Sequence, residues 1–205
     1  MRIGVDFDNT IVCYDEAFLA VAKQEKLLPQ TSNNMSKTDV RDAVRNLANG
    51  EYEWQRLQGL VYGKLIMQAK LFEGVEDFFD RAAKTAGIEL FIVSHKTELA
   101  HHDPLQTNLR TSALQFLESH GFFNRLGLPR QHVFFETTRE DKIKRIKELG
   151  CNVFIDDLPE VLLDTDFPKS CVPVFFSVIS EKTLKNYSSW HEIQRTLETI
   201  SKDFA

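Results

Sequence analysis

The stretch Ile3-Gly4-Val5-Asp6-Phe7-Asp8-Asn9-Thr10 decides how this chain is read. Ile3 to Phe7 has the pattern of a core strand, and its end carries two carboxylates one residue apart, Asp6 and Asp8. Further apolar runs recur at 88–93, 132–135, 153–155 and 172–176. They are nearly continuous and rich in β-branched and aromatic residues, as expected for parallel strands buried on both faces. Helical periodicity fills the intervals. Trp54, Leu57, Val61 and Leu65 mark one helix face, and Trp190, Ile193, Leu197 and Ile200 mark another after a Ser189-x-x-Glu192 capping box. Strands alternating with helices predict an α/β fold on a mainly parallel sheet.

The spacing is uneven. The later strands follow one another at about one βα unit each, whereas the first two are separated by the whole of 8–87. Within that interval the pattern is helical only, at 15–27, 38–48 and 51–70, with a polar Gln/Thr/Ser/Asn loop at 29–37. Phe72-Glu73-Gly74 then leads back to the sheet before a helix at 75–86. The expected organisation is an α/β core of 1–13 and 71–205, with an all-helical subdomain, 14–70, inserted after the first strand.

Composition narrows the class. A chain of 205 residues, 42% apolar with 16 Phe, is one ordinary domain with a sizeable aromatic core. Its net charge of −5 offers no electrostatic footprint for a nucleic-acid polymer or an anionic membrane. No apolar run approaches the ~20 residues of a membrane span. Met1-Arg2 leads straight into a strand pattern, unlike a signal peptide. Cys13, Cys151 and Cys171 fit reduced thiols in a cytoplasmic protein better than a disulfide framework. Neither GxGxxG nor GxxxxGK[ST] occurs, which argues against a dinucleotide site or a P-loop. Oligomeric state leaves no trace.

In open α/β sheets, chemistry collects beyond the carboxyl ends of the strands. The polar residues there are Asp6 and Asp8, then Ser94, then Asp156 and Asp157, with Lys142 in the first turns of the preceding helix. Four carboxylates in one crevice repel unless a cation holds them, and an all-oxygen cluster suits Mg²⁺. A lysine and a hydroxyl beside them suit a phosphoryl group. Singly, Asp8-Asn9-Thr10 is equally a turn and Asp156-Asp157 equally a helix N-cap; the set in order carries the reading. Lys142 is preferred to Lys144 because it lies nearer the helix start. His101-His102-Asp103 reads as a surface loop without zinc-ligand spacing, and Gly59-x-x-x-Gly63 as close helix packing.

Asp6-Phe7-Asp8-Asn9-Thr10 resembles the first motif, DxDx[TV], of the haloacid dehalogenase (HAD) superfamily. Ser94, Lys142 and Phe154-Ile155-Asp156-Asp157 are similar to its second, third and fourth motifs, in the family's order, from Ile3 to about Val161. The resemblance implies a HAD-like Rossmannoid three-layer sandwich with a small helical cap in the first insertion position. The interval 95–141 is too short for the larger α/β cap of other branches. The implied activity is a Mg²⁺-dependent phosphatase for a small phosphate monoester. Asp6 would attack phosphorus and form an aspartyl-phosphate, and Asp8 would act as acid and then base. Mg²⁺ would be held by Asp6, the Asp8 carbonyl and Asp157, with Asp156 either ligating or behind. Ser94 and the His95 backbone amide would hold phosphate oxygens, and Lys142 would neutralise charge on Asp6 and the phosphoryl group.

Dehalogenase members lack the acid at the Asp8 position, which sets that activity aside. A phosphomutase shares core and cap type and stays an alternative. A receiver module uses similar groups in another order, and a non-catalytic binding protein does not need all of them. The run Ser94-His95-Lys96-Thr97, with Asn108-Leu109-Arg110 and Phe154 to Val161, looks like uncharacterised bacterial hydrolases often placed with surface-polysaccharide enzymes, implying a sugar or polyol phosphate. The Asp156-Asp157 motif is also similar to the deoxyribonucleotidases, which keeps a 5'-nucleotidase open.

Overall fold

The computed structural model describes residues 1–177 and 183–200, without the side chains of 198–200, so the Ile200 side chain of the C-terminal stripe lies outside the described residues. The chain runs β1 (Arg2–Val5), β2 (Val12–Cys13), α1 (Asp15–Gln24), α2 (Lys37–Arg45), α3 (Gly50–Tyr62), β3 (Lys70–Leu71), α4 (Val75–Lys84) and β4 (Glu89–His95). It continues as α5 (Leu109–Ser119), β5 (Val133–Glu136), α6 (Arg139–Glu148), β6 (Val153–Asp156), α7 (Pro159–Leu162), β7 (Val172–Phe176), β8 (Asn186–Tyr187) and α8 (Trp190–Ile200). Six strands form one sheet in the order β5-β4-β1-β6-β7-β8, with every pairing parallel. This is the α/β architecture the sequence predicts, with the first strand in the middle. The two-residue strands β2 and β3 pair separately.

Alternation along β1 sends Ile3 and Val5 to one face and Gly4 to the other. On the Gly4 face, Phe91, Val93, Phe154 and Phe175 of the sheet pack with Ile143 and Ile146 of α6 and with Val161 and Leu162 of α7. Aromatic rings mark the second layer: Phe78 and Phe79 of α4 and Phe176 of β7 all lie against Trp190 at the start of α8. Trp190 is fully buried, and its indole Nε1 donates to the Thr10 carbonyl at 3.0 Å. That bond ties α8 to the loop after β1.

Contacts divide the chain into two compact units. One holds Met1–Val12, Leu71–Lys96 and the chain from Gly121 on; the other holds Cys13–Lys70 together with Thr97–His120. The helical unit therefore also takes in α5 and the loop before it, which the sequence reading keeps within the core at 71–205. The Gly59-x-x-x-Gly63 spacing shows why. A Cβ on Gly59 would lie 2.9 Å from the His101 carbonyl oxygen, and one on Gly63 would lie 3.0 Å from Thr107 Cγ2. The two small residues thus seat the 97–109 segment, including Leu109 at the start of α5, which lies 3.3 Å from a Cβ on Gly63. In that segment the Asp103 carboxylate accepts from the Thr107 hydroxyl and, at 3.0 and 3.1 Å, from the Thr107 and Leu105 amides. These bonds, led by the Thr107 hydroxyl, hold its pKa well below the usual carboxylate range. His101-His102-Asp103 is accordingly an ordered loop.

Two local expectations shift. The predicted 51–70 helix stops at Tyr62, because Gly63 takes φ −103° and ψ −111°, and only a short 3₁₀ turn, Ile66–Gln68, follows. At α8 the Ser189 hydroxyl accepts from the Glu192 amide at 3.3 Å, but the Glu192 carboxylate reaches back to Ser188 N and Oγ at 3.0 and 3.2 Å. The reciprocal half of the capping box is displaced by one residue.

Gly4 is required by space. A Cβ there would stand 2.5 Å from Phe154 Cδ2 and 3.0 Å from Cys151 Sγ, and the Phe154 ring is fully buried. Gly4→Ala is expected to destabilise the fold by about 1–3 kcal/mol through overpacking. Urea denaturation should show a lower midpoint at an unchanged slope; an unmoved midpoint would refute this packing account.

Candidate functional site

Three neighbouring strands end at the same level. Val5 of β1 pairs with Ile92 of β4 on one side and Ile155 of β6 on the other. The Asp6 amide extends the ladder by donating to the Ile155 carbonyl at 2.9 Å. Asp6, Ser94 and Asp156 therefore stand at the carboxyl ends of β1, β4 and β6. Past Asp6 the chain doubles back: the Phe7 carbonyl accepts from the Ile11 and Val12 amides, both at 3.1 Å, and Asn9 N donates to the Val12 carbonyl at 2.9 Å. Asn9 takes φ +60°, a left-handed conformation that asparagine tolerates better than most residues. The turn reading and the acidic reading of Asp8-Asn9-Thr10 thus coincide, with Asp8 held at the bend.

The cation comes from α6. Thr138 caps this helix by accepting from the Asp141 amide at 3.0 Å, and Lys142 follows in the opening turns. Its Nζ lies 2.6 Å from Asp6 Oδ1 and 2.6 Å from Asp156 Oδ2, with all three side chains buried. Burial disfavours the ammonium, but the charges of Asp156 and Asp6 outweigh it and raise the Lys142 pKa above the ordinary lysine value. Burial likewise pushes the Asp156 carboxyl upward, against the pull of Lys142. Lys144, by contrast, is exposed and lies 3.9 Å from Glu148.

Asp157 completes a cluster. Asp6, Asp156 and Asp157 each offer one carboxylate oxygen, and these oxygens lie within 4.8 Å of one another. Hard oxygen donors at this spacing fit Mg²⁺. Both Asp156 oxygens already accept hydrogen bonds, Oδ2 from Lys142 and Oδ1 from the Leu158 amide at 3.0 Å. Ser94 is buried at the end of β4, whereas the His95 side chain is exposed, and the sequence reading gives a part only to its backbone amide.

Sequence reasoning misses Lys96 as a site residue. Its Nζ lies 3.0 Å from Asp8 Oδ1 and 2.8 Å from Oδ2, its side chain is 2% exposed, and it stands 5.4 Å from the Phe7 ring centroid. The available signal is alternation: two residues past Ser94, Lys96 continues the same side of the strand. Among the described residues, no helix is long and apolar enough to cross a membrane.

No protein-family model matches the chain, and no curated protein matches it. Solved structures do. A HAD-superfamily hydrolase of subfamily IA, variant 1, from Geobacter sulfurreducens is 15% identical and superposes with a TM-score of 0.58, covering 96% of this chain and 95% of its own. The HAD hydrolase YfnB from Bacillus subtilis, bound to magnesium, gives 13% identity, 96% and 97% coverage and a TM-score of 0.55. A HAD family hydrolase from Deinococcus radiodurans with bound phosphate and sodium gives 12% identity, 98% and 96% coverage and 0.55. At such identities the likeness is one of fold, and over nearly its whole length this chain has the fold of the haloacid dehalogenase superfamily hydrolases.

Proposed function

We propose that the protein is a Mg²⁺-dependent phosphatase that hydrolyses a small phosphate monoester through an aspartyl-phosphate on Asp6. The observation that carries this reading is the clamp of Lys142 on Asp6 and Asp156, with Asp157 within ligand reach. Fold relatives solved with magnesium and with phosphate support it.

In this reading an Asp6 oxygen attacks phosphorus, the bond from phosphorus to the ester oxygen breaks, and Asp8 gives that oxygen its proton. Water then attacks the phosphorus of the aspartyl-phosphate, Asp8 takes the water's proton, and Asp6 leaves with phosphate released. Ser94 and the His95 amide hold the phosphoryl oxygens, and Lys142 offsets the negative charge that gathers on Asp6 and the phosphoryl group. Mg²⁺ would be held by Asp6, the Asp8 carbonyl and Asp157; bound there, it neutralises and aligns carboxylate and phosphoryl oxygens. Asp157 is preferred to Asp156 as the direct ligand because the Asp156 oxygens are taken by Lys142 and the Leu158 amide. The substrate is a sugar or polyol phosphate, on the resemblance of the run Ser94-His95-Lys96-Thr97.

Asp6→Asn is expected to fold normally and to lose turnover by about 10³-fold or more, since nucleophile and metal ligand disappear together. Steady-state phosphate release by the folded variant at a near wild-type rate would remove Asp6 from the mechanism.

Chelation with EDTA should abolish phosphate release and added Mg²⁺ should restore it. Ca²⁺ should inhibit, because its larger and looser coordination misplaces the attack. Full activity in excess chelator would eliminate the metal site.

On a panel of phosphate esters, turnover should favour sugar and polyol phosphates over nucleoside monophosphates and exceed by far that on a phosphopeptide. A nucleotide preference would select the nucleotidase alternative, and a phosphopeptide preference would refute the small-substrate reading.

A further inference from the structure

Lys96 is a buried cation that the scheme above leaves without a role. An ammonium removed from water costs several kcal/mol unless it is paired, so a lysine at a 2% exposed position is retained for what it pairs with. Here the partner is Asp8, and the geometry is specific. One nitrogen stands 3.0 Å from one Asp8 oxygen and 2.8 Å from the other, so it straddles the carboxylate and fixes its rotation. The Phe7 ring lies beside the same ammonium, 5.4 Å to the centroid. The Lys96 backbone is anchored as well, since its amide donates to the Glu136 carbonyl of β5 at 2.9 Å. The amine is therefore delivered from the sheet's own ladder and not from a loop. Asp8 needs such a hold: it sits at the bend of a tight turn, and its side chain is 18% exposed on a site that has to admit substrate.

We propose that Lys96 is a positioning residue that locks the Asp8 carboxylate in the orientation for proton transfer to the ester oxygen and then from the attacking water. The inference rests on the reading of Asp8 as acid and base. With both Asp8 oxygens engaged and the ammonium buried, Lys96 acts through Asp8 and not by binding the phosphoryl group itself. A proton transfer is worth about 10²–10⁴-fold when the leaving group is a poor one and little when it is good. Loss of the positioning cation should show the same selectivity.

The test is a double-mutant cycle with Asp8→Asn, Lys96→Met and the pair, each assayed on a sugar phosphate and on nitrophenyl phosphate. Lys96→Met should lower kcat on the sugar phosphate by about 10²-fold, with KM nearly unchanged, and nitrophenyl phosphate turnover by less than about tenfold. Lys96→Arg should recover part of the loss. In the Asp8→Asn background, Lys96→Met should cost nothing further, because the group it orients is gone. The double variant also removes both charges together, so it stays informative if Lys96→Met alone fails to fold. Equal losses on both esters, a loss confined to KM, or full additivity with Asp8→Asn would overturn the inference while leaving the phosphatase reading intact. Absence of Mg²⁺-dependent turnover by the wild-type protein on every ester would overturn both.

Discussion

A single buried ammonium holds the centre of this molecule together. The sheet order puts β1 beside β6, and both strands end in a carboxylate at the same level. Two carboxylates on adjacent strands, about 5 Å apart, repel by roughly 3 kcal/mol at an effective dielectric of 20, and by more as burial deepens. Lys142, at 2.6 Å from each, turns that repulsion into a clamp. For the clamp to exist, α6 has to start above the carboxyl end of the sheet. The Thr138 cap sets its first turn, while Ile143 and Ile146 bury its inner face against Phe91, Val93 and Phe154. Beneath Lys142 lies the Phe154 ring, 5.5 Å from its ammonium, and beneath that ring only a glycine fits, at Gly4. The charged site therefore stands on a column of packing that begins with a missing side chain.

The five long strands were legible because burial on both faces writes an apolar run that no solvated segment imitates. Val172–Phe176 falls where the pattern puts it, and β1, β4, β5 and β6 differ from their predicted bounds by one or two residues at the ends. What stayed hidden is decided by partners far away in sequence. The strands β2, β3 and β8 have two residues each, too few for any period to show. Helix α3 ends at Tyr62 although the apolar stripe continues through Leu65, because the backbone at Gly63 leaves helical values. The membership of the 97–120 segment in the helical unit turns on the approach of His101 and Thr107 to Gly59 of α3 and to Gly63 just past its end, which spacing alone assigns only to some close neighbour.

The candidate site divides along the same line. Acidic residues at the ends of apolar strands are readable as an oxygen cluster, and position within the helix separates Lys142 from Lys144. The preference for Asp157 over Asp156 comes from the family resemblance and not from the residues themselves, and that both Asp156 oxygens accept hydrogen bonds, from Lys142 and the Leu158 amide, is visible only in the fold. Lys96 is harder still. Lysine is among the residues least often buried, so a sequence reader places it in solvent, whereas here it pairs with Asp8, 88 positions away.

Asp6 and Asp8 lie two residues apart on one turn, yet the scheme gives them different work, and the sheet order supplies the means. β1 has β4 on one flank and β6 on the other. Lys142 binds Asp6 jointly with Asp156 of β6, so that Asp6 belongs to the β6 flank. Lys96 continues β4 and binds Asp8, so that Asp8 belongs to the β4 flank. Two lysines from opposite sides give Asp6 and Asp8 separate partners within a three-residue span, as the proposed division into nucleophile and proton carrier requires. A parallel sheet with the acidic strand at its centre gives each of them its own flank.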